Sequence, residues 1–243
     1  MTAKEEEQIR LNKYIANSGI CSRREADALI SSGKIQVNGK VVNVLGYKVN
    51  ENDTVSYKGQ ILKSEKLVYV LLNKPKDFIT STKDPEGRKT VMQLVKHACA
   101  ERIFPVGRLD RNTTGLLLFT NDGELAKKLS HPRYKVKKIY HVELDKDLSK
   151  EDFHKIKNGL VLEDGIIEVD ALEYVDDNTK KNAVGVEIHS GRNRIVRRIF
   201  ESLNYRVVRL DRIMYAGLTK KNLPRSKWRH LTKEEISYLK RIH

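Results

Sequence analysis

Asp110 stands in Gly107-Arg108-Leu109-Asp110-Arg111-Asn112-Thr113-Thr114-Gly115, a turn-like stretch that sets one carboxylate among basic and small residues. An apolar run, Leu116 to Phe119, follows at once, and the string closes at Asn121-Asp122-Gly123. A loop that leads into a short buried strand presents its side chains to a cleft rather than to the core. A carboxylate among cations there has the makings of a nucleophile or a charge stabiliser. The same pattern also serves as a salt-bridged turn before a strand, and local physics alone favours that plainer role.

Arg23 and Arg24 form a second chemical feature. Ser22-Arg23-Arg24-Glu25 has the form of a capping box and is followed by apolar Ala26, Leu29 and Ile30 and a stop at Gly33. Cations in a first helical turn oppose the helix dipole by about a few tenths of a kcal/mol. A phosphate at that terminus would be held by both the free N–H groups and the guanidinium groups. Two solvated arginines are the alternative.

The elements that must position these groups fall into two parts. Leu11, Tyr14 and Ile15 recur at helical spacing and close at Gly19, ahead of the Ser22 helix. Ile35 to Val42 then alternates around Asn38-Gly39, the signature of a tight hairpin. Ile9 to Tyr57 thus predicts two short helices and a strand pair. Glu51 to Glu65 is polar and reads as the end of this unit and a linker, with a boundary near Lys63.

From Leu67 the pattern turns to β-rich runs: Leu67 to Leu72, Leu116 to Thr120, Ile139 to Leu144, Ala183 to His189 and Arg206 to Met214. Gly123 to Leu129, Ser149 to Asn158, Asn193 to Leu203 and Thr232 to Ile242 read as helices between them, the last opened by a Thr232-x-x-Glu235 capping box. The expected fold is α+β: a small α/β unit over 9–63, then a larger domain over 66–243 with a mixed, largely antiparallel sheet flanked by helices.

Composition narrows the partner. The chain has 243 residues, a formal net charge of +15 and a pI near 9.7, a balance that favours a polyanion because neutralising phosphates releases counterions. The excess is uneven, with 15 Lys and Arg against 4 Asp and Glu from Gly191 to His243. A solvated basic surface is the alternative, but this density points to nucleic acid. No apolar run approaches the ~20 residues needed to span a bilayer, and the start, Met1 to Gln8, is polar and acidic, so neither a membrane span nor export is expected. Cys21 and Cys99 lie far apart without metal-ligand spacing, which fits a reducing cytoplasm.

The Gly107 to Gly123 string resembles the catalytic motif of pseudouridine synthases, in particular the RsuA/RluB/RluF-type family that modifies ribosomal RNA. Arg10-Leu11-Asn12-Lys13-Tyr14-Ile15, the Ser22 to Ala26 segment and Gly33-Lys34-Ile35-Gln36-Val37-Asn38-Gly39-Lys40 resemble an S4 RNA-binding domain. The resemblance runs from Ile9 almost to the end of the chain, through Leu223-Pro224 and Trp228-Arg229-His230-Leu231-Thr232, and lies nearest the large-subunit members. It implies isomerisation of uridine to pseudouridine in ribosomal RNA, with 23S rRNA or a ribosomal assembly intermediate as the expected partner. It also implies no cofactor and no metal; a monomer is the default expectation.

The resemblance assigns roles by position. Asp110 becomes the nucleophile or the group that helps the base depart. Tyr140, in Lys137-Lys138-Ile139-Tyr140-His141-Val142, becomes the ring that stacks on an extruded base, while His141 alternates to the other face. Arg197, in Gly191-Arg192-Asn193-Arg194-Ile195-Val196-Arg197-Arg198, becomes the cation that keeps Asp110 ionised against desolvation. Arg198 points ~100° away on a helix and cannot share that role. Ile195 stands where several relatives carry Gln, so any role of that Gln is not carried over.

Arg108 matches an arginine that in relatives fills the space left by a flipped nucleotide. Arg10, Lys13, Arg23, Arg24, Lys34, Lys40, Arg192 and Arg194 are the expected RNA-binding residues, with Lys135, Lys137 and the Pro224 to Arg229 tail as weaker phosphate contacts. Trp228 beside Leu231 reads as a packing anchor rather than a base-stacking platform. Two other functions compete. A non-catalytic S4-type rRNA-binding or ribosome-assembly protein would need no carboxylate in a basic groove. A glycosidic hydrolase would need two paired carboxylates, and only one is placed by a motif.

Overall fold

The computed structural model describes residues 8–175 and 181–242; the polar, acidic start through residue 7, the segment 176–180 and residue 243, the expected end of the larger domain, lie outside the described residues. The chain divides into two compact units. One holds the residues up to Leu67 with Ala100–Arg102, and the other holds Val68–Cys99 and the chain from Ile103 onward.

The first unit runs β1 (Ile9–Arg10), α1 (Leu11–Asn17), α2 (Arg23–Ser31), β2 (Ile35–Val37), β3 (Lys40–Val42), β4 (Lys48–Val49), β5 (Val55–Tyr57) and β6 (Gln60–Ile61). The Ser22 box forms as its spacing predicts: Ser22 Oγ accepts from Glu25 N–H at 3.3 Å, and Ser22 N–H donates to the Glu25 carboxylate at 2.7 Å. A cap of this kind contributes about 1 kcal/mol. Helical Leu11, Ile15, Ala26 and Ile30 pack on strand residues Ile35, Val37, Val49 and Val55.

Asn38 and Gly39 take φ of 51° and 77° and close the β2–β3 hairpin with a twist that matches its strands. The polar stretch read as a linker departs from that expectation. It carries a second hairpin, turned at Lys58 (φ 49°) and Gly59 (φ 77°), so the sheet order is β3-β2-β5-β6. Only Val55 and Leu62 are buried there, too few to show a hydrophobic period.

The second unit runs β7 (Tyr69–Lys74), α3 (Met92–Val95), β8 (Phe104–Pro105), β9 (Thr114–Thr120), α4 (Gly123–Ser130), β10 (Lys138–Leu144), α5 (Lys150–Lys157), β11 (Leu160–Leu162), β12 (Gly165–Ile167), β13 (Ala171–Tyr174), β14 (Ala183–Ile188), α6 (Ile195–Glu201), β15 (Val207–Tyr215), β16 (Leu218–Thr219), β17 (Trp228–His230) and α7 (Lys233–Lys240). Its main sheet has the order β13-β14-β10-β15-β9-β7-β17, with β16 on β15 and β8 on β9. Its ladders are antiparallel except between β15 and β9, where Asp211 pairs with Thr114 and Arg212 with Gly115. The sheet is thus mixed and largely antiparallel, and the fold is α+β.

Burial explains the sequence pattern of the central strands. Leu116 and Leu118 of β9 face Leu125, Leu129 and Leu239 from α4 and α7, while Leu117 and Phe119 face Val91, Val95 and Ile103. A strand covered on both sides must be apolar throughout rather than alternating. The other half of the sheet packs Val142, Val184 and Val186 against Ile199 and Phe200 of α6. Trp228 is half-buried against the Leu72 and Phe119 side of the core, in keeping with a packing anchor.

Gly115 permits the parallel junction. Its φ is +108°, and a Cβ built there would fall on the backbone of Arg212, 2.5 Å from its nitrogen. Gly115→Ala is expected to combine strain and overlap for a loss of roughly 2 kcal/mol or more. Calorimetry would read this as a Tm lower by roughly 4–8 °C.

Candidate active site

Asp110 lies between β8 and β9, in a loop held from beneath by Lys74. Lys74 is fully buried at the end of β7, and its ammonium donates to the carbonyl oxygens of Pro75 (3.0 Å), Asp110 (3.1 Å), Arg111 (3.2 Å) and Thr113 (2.8 Å). Burial pulls its pKa down to about 8, while the Asp110 and Asp77 carboxylates oppose the fall. Thr80 fastens the near side of the loop: its hydroxyl donates to Leu109 O at 2.7 Å and accepts from Leu109 N–H at 3.2 Å. Asp77 N–H donates to Arg111 O at 3.0 Å, and Thr113 N–H donates to Asp110 O at 3.1 Å. The backbone of the loop is fixed, and the Asp110 side chain is half-exposed.

Opposite the loop, a half-buried lysine does similar work. Lys138 at the start of β10 donates to His189 O at 2.7 Å and Ser190 O at 3.3 Å. Burial and the nearby Arg212 guanidinium lower its pKa to about 8, against the pull of Asp170. The held segment leads into Gly191–Arg194. Arg194 adopts φ +47°, so α6 starts at Ile195 rather than at Asn193 as its pattern predicts. Arg192 and Arg194 therefore leave from a loop instead of a helix face.

Between the two loops is a cleft of about 170 Å³ lined by Arg108, Asp110, Thr113, Lys138, Tyr140, Arg192, Arg194 and Arg212. The geometry gathers expected residues from three separate stretches of chain and adds Arg212 from a fourth. Tyr140, half-exposed on β10, pairs in register with Arg212 of β15 and Val186 of β14. His141 faces the other side, beside Glu143 and Asp211.

Arg197 lies on the first turns of α6, half-buried, with Nη1 donating to Val207 O at 3.0 Å. Burial and Arg194 lower its pKa, while the Asp110 and Glu201 carboxylates raise it: Arg197 feels the charge of Asp110, and its hydrogen bond goes to Val207. Arg198 turns away and grips Asp164 with both nitrogens, at 2.6 and 2.9 Å.

The remaining cations divide. Arg108 is exposed at the rim of the cleft. Arg192 donates to Gly165 O at 3.1 Å, and Arg194 reaches Glu201 at 3.1 Å, both bonds being at the surface and exchangeable for a phosphate. Lys137 is paired with Glu187 at 2.6 Å. In the tail expected to meet phosphates, Arg229 is held by both oxygens of Glu235 at 2.7 Å, and Arg225 bonds Asp211 (3.0 Å) and Asn73 (2.9 Å). Those two arginines are committed to the fold.

In the first unit Arg10, Arg23, Arg24, Lys34 and Lys40 are exposed and Lys13 is half-buried. Lys34 sits beside Gln36, Tyr57 and Lys58 in a shallow groove. Sequence reasoning missed Lys74 and Arg212 altogether. A lysine closing the apolar run Tyr69 to Leu72 was the visible signal for the first, and an arginine inside the strand Arg206 to Met214 was the signal for the second.

A lone carboxylate in a cationic cleft, facing a tyrosine ring, on an α+β domain preceded by a small basic unit, is the arrangement of an enzyme that works on RNA. Residues 68–202 match the RNA pseudouridylate synthase family, and residues 9–55 match the S4 domain. The chain belongs to the RNA pseudouridylate synthase family. It is 41% identical over 235 residues to the ribosomal large subunit pseudouridine synthase B of Bacillus subtilis, covering 96% of each chain. An uncharacterized RNA pseudouridine synthase of Aquifex aeolicus is 40% identical over 234 residues, covering 96% of this chain and 94% of the relative. Among solved structures, a crystal structure of a pseudouridylate synthase superposes with a TM-score of 0.68 at 28% identity, covering 95% of this chain and 99% of that one.

Proposed function

We propose that this chain converts a specific uridine of 23S rRNA, free or in an assembly intermediate, to pseudouridine, with Asp110 as nucleophile on a flipped-out nucleotide. The observation that carries the reading is that Asp110 and Tyr140 line one cleft with Arg108, Arg192 and Arg194, while Arg197 lies near enough to feel the Asp110 charge. The likeness to a large-subunit enzyme supports the choice of 23S rRNA.

In this reading a stacked uridine is swung into the cleft at a cost of a few kcal/mol, roughly. The Tyr140 ring holds the base, at about 1–3 kcal/mol for such stacking. Asp110 attacks at the anomeric carbon or at the base and the N1–C1′ bond breaks, its electron pair staying with the uracil. The base turns, C5 bonds to C1′, the bond to Asp110 breaks and returns its electron pair to the carboxylate, the C5 proton leaves and N1 takes one up. Arg197 keeps the carboxylate charged, and the Tyr140 hydroxyl lies on the path of the C5 proton. Arg10, Lys13, Arg23, Arg24, Lys34 and Lys40 hold the phosphates of the surrounding RNA. The enzyme works as a monomer in the cytoplasm; among the described residues no helix is long and apolar enough to cross a membrane.

Mapping pseudouridines in rRNA from cells lacking this protein tests the reading. One 23S position should revert to uridine and be restored by the wild-type chain. An unchanged 23S map, or a lost site in 16S rRNA, would overturn the substrate assignment. Arg108 is proposed to fill the gap left by the flipped base, so Arg108→Ala should raise Kd for RNA and lower turnover together. A tenfold change in both is the expected scale, roughly that of one charge-assisted contact, and unaltered kinetics would count against it.

A further inference from the structure

Two polar groups at the cleft have no partner among the described residues. Arg212 is 3% exposed on β15; its Nε donates to Leu116 O at 2.8 Å and its guanidinium lies over the Tyr215 ring at 4.5 Å, yet its Nη2 meets no acceptor among the described residues. Thr113 is 2% exposed, and its Oγ1 is likewise unpartnered among them. Both residues line the cleft with Asp110 and Tyr140. The parallel pairing of Arg212 with Gly115, two residues after Thr113, brings both residues to the same cleft.

A buried donor or hydroxyl left unpaired is costly and rare in folded proteins, so two at one cleft call for a reason. A uracil edge supplies one. It reads acceptor, donor, acceptor through O4, N3–H and O2, and a guanidinium nitrogen and a hydroxyl in one cleft offer the complementary donor and acceptor.

We propose that Arg212 and Thr113 read the flipped base, with Arg212 Nη2 donating to one uracil carbonyl oxygen and Thr113 Oγ1 accepting from N3–H. The proposal rests on the pseudouridine synthase reading and adds substrate-contacting groups to it. The arginine acts beyond recognition. When the N1–C1′ bond breaks, the electron pair left on the base spreads onto O2 and O4, so the Arg212 bond strengthens as that charge develops. The charge is discharged when C5 bonds to C1′.

The test crosses protein variants with altered substrates. Wild type, Arg212→Gln and Thr113→Val are assayed on RNA carrying uridine, 2-thiouridine or 4-thiouridine at the target position. Sulfur is a weak acceptor, so one of the two thio substrates should cost the wild type about tenfold in kcat/KM. Arg212→Gln should lose about 10- to 100-fold on uridine, mostly in kcat, and lose nothing more with that thio substrate. An arginine that only supports the strand would leave the thio penalty intact, and that result overturns the proposal. So does a wild type indifferent to both sulfurs. Should Arg212→Gln not fold, the near-isosteric Thr113→Val decides: an unchanged Tm with a five- to tenfold lower kcat/KM supports the proposal, and wild-type kinetics overturns it. A wild type that makes no pseudouridine removes the enzymatic reading itself, and the proposal with it.

Discussion

Asp110→Asn is expected to lower pseudouridine formation by roughly 10⁴-fold or more, the scale seen when a nucleophile is removed from a preorganised site. The substitution keeps the shape of the side chain and takes away its charge and nucleophilicity. It leaves the loop in place, because Lys74 and Thr80 hold backbone atoms of residues 109–113 and not the carboxylate. RNA affinity should therefore stay within about twofold and Tm within ~1 °C, since a surface change away from packing is worth under ~0.5 kcal/mol. Release of label from RNA carrying tritium at uridine C5 measures the reaction, and filter binding measures the affinity. Turnover within tenfold of wild type would remove Asp110 from the chemistry. Silence of the wild type as well would leave an RNA-binding protein.

The next largest effect is expected at a residue that touches no substrate. Lys74→Met keeps the length of the side chain and removes the ammonium that four carbonyl oxygens share. Buried acceptors left unpaired cost about 1–3 kcal/mol each, and partial relaxation of the loop puts the expected loss at roughly 3 kcal/mol. A carboxylate displaced by about 1 Å costs roughly 10² in rate. The variant should therefore show lower kcat with little change in KM, alongside a lower Tm.

The wild type makes a companion prediction with pH. With a pKa pulled to about 8 by burial, Lys74 is charged at pH 7 and loses its proton as pH rises through 8. The loop then loses donors, so kcat should fall on an alkaline limb near pH 8. Global stability moves the other way from this group. Its folded pKa lies below the unfolded value near 10.4, so between about pH 8 and 10 the unfolded chain binds more protons and stability rises with pH. Alkaline loss of rate without loss of Tm separates loop release from unfolding. An alkaline limb that persists unchanged in Lys74→Met would assign it to another group.

Local signals in the sequence were read well where one residue type has few other reasons to stand where it does. Ser22 with Glu25, Thr232 with Glu235 and Asn38-Gly39 each announce a backbone geometry, and each forms. The apolar runs around Leu71 and Leu117 announce buried strands because both faces are covered. The hairpin over Val55 to Ile61 was not legible, since its strands bury little and its turn, Lys58-Gly59, is only half of a strong signal.

The start of α6 was misplaced because an arginine in a left-handed conformation leaves no mark in a one-dimensional pattern. The cleft shows the same division. Asp110, Tyr140 and Arg197 could be picked out because each stands in a recognisable string, whereas Lys74 and Arg212 acquire their meaning from a loop 36 residues away and a strand 96 residues away that only folding brings beside them.

The sheet that carries the cleft is stitched from two antiparallel halves through two parallel rungs, Asp211 to Thr114 and Arg212 to Gly115. Seven register pairs join β10 to β15 and six join β7 to β9, so shear is resisted least at this seam. Asp110 belongs to one side of it and Tyr140 to the other. Asp211 spans the gap: burial alone would raise its pKa, but Arg225, Lys220 and Thr114 together bring it down to about 2. Arg225 extends the clasp to Asn73 and the Lys74 carbonyl of β7. The spacing between acid and aromatic ring, on which the proposed chemistry turns, is therefore governed by a small knot of charge outside the cleft more than by the sheet's own ladder.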